Sequence, residues 1–162
     1  MFAARFRGER PVYGLRGVSL RPEGNRGRWR TMTDLGEDLV QEIRRRFPDE
    51  TCIMAGYSFG AWVNALTTIT EPSLTNMIMV SPPLAFLDFG AVSDLNSLRL
   101  IVTGSRDDIA PPELIKTSYH GWNAEAQFEV ISGADHFYVG YTDKLEALLT
   151  AYLERRESGV LY

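Results

Sequence analysis

The sequence predicts an α/β protein with a mostly parallel β-sheet flanked by helices. Short apolar runs that are typical of buried strands alternate with segments of helical periodicity, and this alternation favours parallel pairing with helices on both faces. Glycine and proline residues separate most of these segments. The chain has 162 residues, of which 44% are hydrophobic and 23% charged. We therefore expect a single globular domain over residues 1–162, large enough to bury a proper core.

Five apolar runs are the predicted strands. The first covers residues 12–15, and the others are ETCIMAG, NMIMVSPP, LRLIVTGS and AQFEVIS. Each is short and rich in aliphatic residues, as in strands that are buried on both faces. Parallel pairing of these strands places the carboxyl end of every strand at one edge of the sheet, where open α/β folds bind their ligands.

Four segments have the pattern of helices. The first follows Thr31 or Thr33, either of which can cap it, and Pro48 ends it. The second is FGAWVNALTTIT, the third is PPELIKTSYHGW, whose prolines suit a helix start, and the last is TDKLEALLTAYLERR. The last helix is predicted to place five apolar side chains on one side: Leu145, Leu148, Leu149, Tyr152 and Leu153.

The segment TCIMAGYSFGAW contains the strongest functional signal. Ser58 stands between Gly56 and Gly60, directly after a predicted strand and directly before a predicted helix. The glycines let the strand and the helix pack closely, so the turn exposes the serine hydroxyl. The backbone N–H of Phe59, at the start of the helix, is then free to donate to an oxyanion. This context indicates a nucleophilic serine rather than an ordinary turn.

A serine hydroxyl needs a base, and the chain has two histidines. His136 lies in ISGADHFYVG, just after the last predicted strand, where loops reach the active edge of the sheet. His120 lies in TSYHGW with no catalytic pattern around it, and we expect it to be a partly exposed polar residue. His136 is therefore the predicted base.

The base in turn needs a carboxylate to orient it. Asp107 and Asp108 both follow the predicted strand LRLIVTG, and Asp107 is the preferred choice. Asp108 is the first alternative, although it is better suited to capping the following turn or helix. Asp88, after the preceding strand, is the second alternative, and Asp135 is expected to hold the turn next to the histidine.

Three segments together resemble the α/β-hydrolase superfamily. They are GYSFGAW (56–62), TGSRDDIAPP (103–112) and GADHFY (133–138), in the order serine, aspartate, histidine that this superfamily uses. SPPLAFLDF and GADHFYVG are similar to small lidless hydrolases of the dienelactone-hydrolase-like kind. RPVYGLRGVSL together with GYSFGAWV is similar to thioesterases of polyketide and nonribosomal-peptide synthesis. The resemblance implies Ser58 as nucleophile, Asp107 as acid, His136 as base, Phe59 as oxyanion donor, and no metal or organic cofactor.

The beginning of the chain departs from that pattern. Few residues precede Pro11, and no His-Gly loop occurs that could supply the second oxyanion amide. Either the chain is shortened, or the strand at 12–15 replaces the missing one and its GLRGV loop gives the amide. We expect a minimal α/β-hydrolase fold that lacks the first strands and a lid. The open sheet edge that results predicts a homodimer.

Aromatic residues surround the predicted site in the sequence. Tyr57, Phe86 and Tyr138 are predicted to line an apolar substrate pocket. Phe59 is assigned to the same pocket. Two further aromatic residues, Trp62 and Phe137, are assigned to the core.

Charge and targeting signals limit the classes of partner and the cellular location that we expect. Residues 1–46 hold eleven arginines against six acids, while the whole chain has a net charge of −4. A solvated arginine-rich surface is the simpler interpretation, but an acidic acyl-carrier protein could also bind there. No nucleic-acid motif, membrane span or signal peptide is recognisable, and Cys52 is the single cysteine, so a cytoplasmic location is expected.

The predicted function is that of a serine hydrolase that cleaves a small-molecule carboxylic ester or thioester. The alternative is a hydrolase-fold binding or scaffold domain with weak or no turnover, which the short beginning of the chain would favour. An acyltransferase or perhydrolase using the same residues with another acceptor stays open, because the shape of the pocket selects the acceptor.

Overall fold

The computed structural model describes residues 40–42, 44–45, 48, 53–71, 76–90 and 92–157. The predicted strand at 12–15, the helix start at Thr31 or Thr33, most of the arginine-rich first third and the expected lack of first strands fall outside these residues. Residues 40–42 and 44–45 are helical, within the first predicted helix.

Among the described residues, four parallel strands form the sheet, in the order of the sequence. They are β1 (Met54–Tyr57), β2 (Met77–Val80), β3 (Leu98–Gly104) and β4 (Gln127–Ile131). Each strand pairs in parallel with the next. A chain that makes only parallel pairs must return to the same end of the sheet between strands. The four strands therefore share one carboxyl edge, and the prediction of a parallel α/β sheet is confirmed.

Besides the helical residues 40–42 and 44–45, the described part of the chain contains three helices next to the sheet. They are α1 (Phe59–Thr70), α2 (Pro112–Trp122) and α3 (Thr142–Glu157). Helix α2 has Pro112 at its first position, where a missing N–H breaks no intrahelical bond. No described helix is both long and apolar enough to cross a membrane. The described residues between β2 and β3, 81–90 and 92–97, form turns and bends but no helix, so they contain no helical lid.

The core lies on both faces of the sheet because neighbouring strand residues point to opposite sides. Met77 and Met79 pack with α1 and α2, in a cluster that includes Ala61, Ala65, Ile115 and Trp122. Ile78 and Val80 pack on the opposite face with α3, in a cluster that includes Leu145 and Tyr152. Leu148, Leu149 and Leu153 pack against the same cluster, as the apolar side of the last predicted helix requires.

The pairing of β2 with β3 contains an irregularity at its start. Met77 pairs with Leu98, but the next residue, Ile78, pairs with Leu100, so β3 has one extra residue, Arg99. This bulge explains how Leu98 and Leu100, two positions apart, contribute to the cores on opposite faces of the sheet.

Candidate active site

The candidate site lies at the carboxyl edge of the sheet. Ser58 directly follows β1, and its N–H donates to the Val80 carbonyl of β2 at 2.8 Å. Asp107 lies three residues after β3, and His136 lies five residues after β4. Three residues that are far apart in sequence therefore meet because their strands end at the same edge of the sheet.

The turn at Ser58 is strained. Its backbone has φ 52° and ψ −120°, a region that non-glycine residues rarely adopt. A Cβ at Gly56 would lie 2.5 Å from the Gly60 carbonyl carbon and oxygen, so only glycine fits where strand meets helix. The Asn64 amide, oriented to satisfy both groups, lies 3.2 Å from the Gly56 N–H and 3.3 Å from the Gly60 oxygen. The serine is thus held on a sharp turn between closely packed elements.

Gly60 does not need to be glycine for the strand and the helix to pack closely, although the sequence suggests that it does. A Cβ at position 60 would meet no atom within 4 Å. The expectation that both glycines are needed for close packing is therefore wrong for Gly60. Only the missing side chain of Gly56 lets the strand and the helix come together.

The imidazole of His136 connects the serine to the carboxylate. Its Nε2 lies 2.9 Å from Ser58 Oγ. Its Nδ1 lies 2.9 Å and 3.0 Å from the two carboxylate oxygens of Asp107. His136 is only 6% exposed and Asp107 only 2%. In this arrangement Nδ1–H donates to Asp107, which leaves Nε2 free to accept the serine proton.

Further hydrogen bonds fix the buried carboxylate of Asp107. Its Oδ1 accepts from the backbone N–H groups of Ile109, at 3.0 Å, and Ala110, at 2.7 Å. Thr103 Oγ1 lies 3.4 Å from Oδ2 but donates more closely to the Ala110 carbonyl, at 2.7 Å. These contacts hold the carboxylate in one orientation, because a buried charge needs such partners.

The alternatives to these residues lie elsewhere. Asp108 is exposed. Asp88 is also exposed and accepts from the Gly90 N–H at 2.6 Å. Asp135 accepts from the Phe137 N–H at 3.0 Å, which is the turn-holding contact expected of it. His120 is exposed and lies within α2 rather than at its boundary, with its ring centroid 4.1 Å from that of Tyr119.

The loop that carries His136 packs directly against the end of β3. A Cβ at Gly104 would clash with the Ala134 carbonyl, so glycine allows the close approach. The Arg106 N–H donates to the same carbonyl at 2.9 Å, and the Gly133 N–H donates to Ser105 Oγ at 2.8 Å. The loops that carry the aspartate and the histidine are thereby joined by direct hydrogen bonds.

Two tyrosines connect this loop to the ends of β1 and β2 through their hydroxyl groups. Tyr57 donates its hydroxyl to the His136 backbone carbonyl at 2.8 Å. Burial, followed by the charges of Asp107 and Asp135, raises the pKa of the Tyr57 phenol. The Tyr138 hydroxyl lies 2.8 Å from Ser81 Oγ, at the end of β2.

The expectation that Tyr138 lines a substrate pocket needs correction. Its side chain has 0% exposure, and it belongs to the core cluster packed against α3. Tyr138 is therefore not accessible to a substrate. No sequence pattern indicates this burial, because Tyr138 lies in an irregular loop where hydrophobic periodicity is uninformative.

The remaining aromatic residues differ in exposure. Phe59 is 49% exposed, and Phe86 is 72% exposed. Phe137 is 67% exposed, so its assignment to the core is wrong. Its ring lies edge-on to the His136 imidazole, with centroids 5.5 Å apart. Trp62 packs against the core while its indole N–H donates to the Asp88 carbonyl at 3.0 Å.

The Phe59 N–H is available for an oxyanion. Phe59 is the first residue of α1, and the first N–H groups of a helix have no intrahelical acceptor. The helix dipole adds positive potential at the same point. The GLRGV loop expected to supply a second amide lies outside the described residues. Within those residues, no group of three or more metal-binding side chains occurs.

Comparisons with the sequences of known proteins identify a distant relative. No protein-family model matches the chain. The uncharacterised protein RP471 of Rickettsia prowazekii (strain Madrid E) is 25% identical over 109 residues, which cover 62% of this chain and 46% of that protein. The chain thus spans less than half the length of this curated relative.

Solved structures give stronger matches. ATU1826 from Agrobacterium tumefaciens, a protein of unknown function with a provisional α/β-hydrolase assignment, has a TM-score of 0.75 and 25% identity; the match covers 89% of this chain and 68% of that one. An α/β serine hydrolase homologue from Coxiella burnetii has a TM-score of 0.69 and 29% identity, covering 83% and 66%. XC6422 from Xanthomonas campestris, an α/β serine hydrolase without a lid, shares the fold with a TM-score of 0.67 and 22% identity, covering 76% and 56%.

Proposed function

We propose that this chain, an α/β hydrolase by fold and by its similarity to lidless serine hydrolases, cleaves a carboxylic ester or thioester by acyl transfer. One observation carries the proposal: Ser58 Oγ lies 2.9 Å from His136 Nε2, while Nδ1 of the same ring contacts the buried Asp107. A hydroxyl, an imidazole and a carboxylate in this order are the parts needed to activate a serine.

The proposed reaction has two halves. In the first, Ser58 Oγ attacks the substrate carbonyl carbon while its proton passes to His136 Nε2. The bond to the leaving alcohol or thiol then breaks, and the leaving group takes that proton. In the second half, water gives a proton to Nε2 and attacks the acyl-serine, whose ester bond breaks as the proton returns to Oγ. Asp107 holds the ring and stabilises its charged form in both halves.

We expect the oxyanion that develops on the substrate to accept a hydrogen bond from the Phe59 N–H. A preorganised donor of this kind contributes a factor of about 10²–10³ to turnover in enzymes where it has been removed. The donor lies at the start of α1, so the helix dipole supports the same charge.

The substrate is proposed to carry an apolar group next to its carbonyl. Phe59 follows the serine, Phe137 follows the histidine, and both rings are largely exposed. Exposed aromatic rings beside reacting groups favour apolar acyl or alcohol portions. We expect p-nitrophenyl butyrate to be cleaved faster than p-nitrophenyl acetate.

The acidic acyl-carrier partner and the homodimer expected from the sequence stay predictions.

A fluorophosphonate probe tests the proposal before any substrate is known. The wild-type protein is expected to be labelled at Ser58, and both Ser58→Ala and His136→Ala should abolish labelling. His120→Ala is the matched control, because it removes the only other histidine, which is exposed on α2. It should label at the wild-type rate.

Two outcomes would contradict the proposal. If the folded wild-type protein is not labelled, the scaffold alternative is favoured. If it is labelled but cleaves neither p-nitrophenyl esters nor acyl thioesters, the serine is reactive but the substrate class is wrong.

A further inference from the structure

Tyr57 connects the two halves of the candidate site in a way that the proposed reaction does not yet use. Its backbone directly precedes Ser58, at the end of β1. Its side chain reaches residue 136 in the opposite loop and donates a hydrogen bond to the His136 carbonyl at 2.8 Å. The same residue therefore contacts the segment of the nucleophile through a peptide bond and the segment of the base through its hydroxyl.

The rings of Tyr57 and His136 also pack together. Their centroids lie 5.4 Å apart at an interplanar angle of 32°. Tyr57 in turn lies edge-on to the buried ring of Tyr138, with centroids 6.4 Å apart. Tyr57 is thus held between the imidazole and a rigid core residue.

The loop that carries His136 needs such support from outside. It contains Gly133, Tyr138 and Gly140 at positive φ, and lies between β4 and α3. No regular backbone ladder sets the position of such a loop, and the hydrogen bonds that join its backbone to the β3 loop are made by Gly133 and Ala134, before His136. Asp107 orients the imidazole through Nδ1, but a side-chain contact to the ring does not fix the backbone that carries it.

We infer that Tyr57 is a positioning residue, whose hydroxyl holds the His136 backbone so that Nε2 stays within reach of the Ser58 hydroxyl. This inference rests on the proposed function. The mechanism is geometric, because a displacement of about 1 Å between reacting groups can lower a rate by about 10²-fold. Burial also raises the pKa of the Tyr57 phenol, so the hydroxyl stays a donor to higher pH than that of an ordinary tyrosine.

A substrate-binding role for Tyr57 makes a different kinetic prediction. A residue that only binds substrate raises KM when it is changed and leaves kcat unaltered. A residue that aligns the base lowers kcat and leaves KM unaltered. It also slows a fluorophosphonate reaction, which needs the activated serine whatever the natural substrate is.

The test is Tyr57→Phe, which removes one hydroxyl and keeps the ring. We expect kcat for p-nitrophenyl butyrate and the rate constant of fluorophosphonate labelling both to fall about tenfold, with KM changed less than twofold. The matched control is Tyr152→Phe. It removes a tyrosine hydroxyl from the same core cluster. The Tyr152 hydroxyl accepts a hydrogen bond from Arg156 at 3.3 Å, and both residues lie on α3. The control should keep wild-type kcat even if its melting temperature falls as much.

Three results would overturn the inference. Unchanged kcat and labelling in Tyr57→Phe would show that the hydroxyl does not align the base. A raised KM with unchanged kcat would make Tyr57 a substrate contact. An equal loss of kcat in Tyr152→Phe would make the effect one of general stability. In all three cases labelling of the wild-type protein keeps the proposed function intact, whereas an unlabelled wild-type protein removes both.

Discussion

Gly56 and Gly60 are packed backbone to backbone, but only one of them needs to be glycine. A Cβ at Gly56 would lie 2.5 Å from the carbonyl carbon and oxygen of Gly60, whereas a Cβ at Gly60 would meet nothing within 4 Å. The two positions look equivalent in the sequence GYSFG. In the structure, the end of β1 faces the first turn of α1 through Gly56 alone.

The first prediction follows from that asymmetry. Gly56→Ala should lower the free energy of unfolding by about 1–3 kcal/mol, because the new methyl group forces backbone apart in a packed region. Gly60→Ala should leave it unchanged or raise it by up to about 1 kcal/mol, since alanine is the better helix residue. Urea unfolding of both variants and the wild type measures the difference. Equal losses in the two variants would contradict the close packing described for Gly56.

The second prediction compares two adjacent carboxylates. Asp107→Asn should lower kcat by about 10³–10⁴-fold, because an amide no longer stabilises the tautomer that leaves Nε2 free. Asp108→Asn removes a charge one residue away, on an exposed side chain, and should keep kcat within about twofold. Steady-state kinetics with p-nitrophenyl butyrate distinguishes them. A large loss in Asp108→Asn with little loss in Asp107→Asn would reverse the assignment of the acid.

The third prediction concerns alkaline stability. Burial raises the pKa of the Tyr138 phenol well above the ordinary value of about 10, an effect that its hydrogen bond to Ser81 partly offsets. Above pH 10 the unfolded chain releases this proton while the folded chain keeps it. The unfolded state then binds fewer protons, so the free energy of unfolding falls as the pH rises.

Tyr138→Phe removes this contribution. Its free energy of unfolding should be lower than that of the wild type at neutral pH, because Ser81 loses a buried partner. Between pH 10 and 11 its decline should be shallower by about 1 kcal/mol, because the unfolded phenol is half deprotonated at pH 10 and almost fully deprotonated at pH 11. Urea unfolding at pH 8, 10 and 11 measures both effects. Parallel curves for the two proteins would show that Tyr138 titrates normally in the folded state.

Local patterns in the sequence predicted the main elements well. Helix α1 begins and ends with the segment FGAWVNALTTIT, because its start is marked by the serine turn and its apolar spacing is regular. The carboxyl edge of the sheet could also be predicted, since it follows from parallel pairing alone. Ser58, Asp107 and His136, whose side chains meet in the structure, could be selected as candidates because each follows a predicted strand and has a chemically distinctive neighbourhood.

Contacts between distant loops could not be predicted in the same way. The burial of Tyr138, the exposure of Phe137 and the bond from Tyr57 to the His136 carbonyl depend on how the loop after β4 folds back over β1 and β2. Tyr138 and Phe137 are adjacent aromatic residues in opposite environments, in a turn where Tyr138 has a positive φ. No periodic pattern records such a turn, so the sequence alone could not separate them.

Because nucleophile, base and acid each follow a different strand, no fragment of this chain contains a local version of the site. The hydroxyl follows β1 and the imidazole follows β4, the two outer strands of the four described, so their approach depends on the pairing of β2 and β3 between them. A serine-reactive probe would therefore also report the completed assembly of the sheet, and its rate of reaction during refolding would follow the last strand to join.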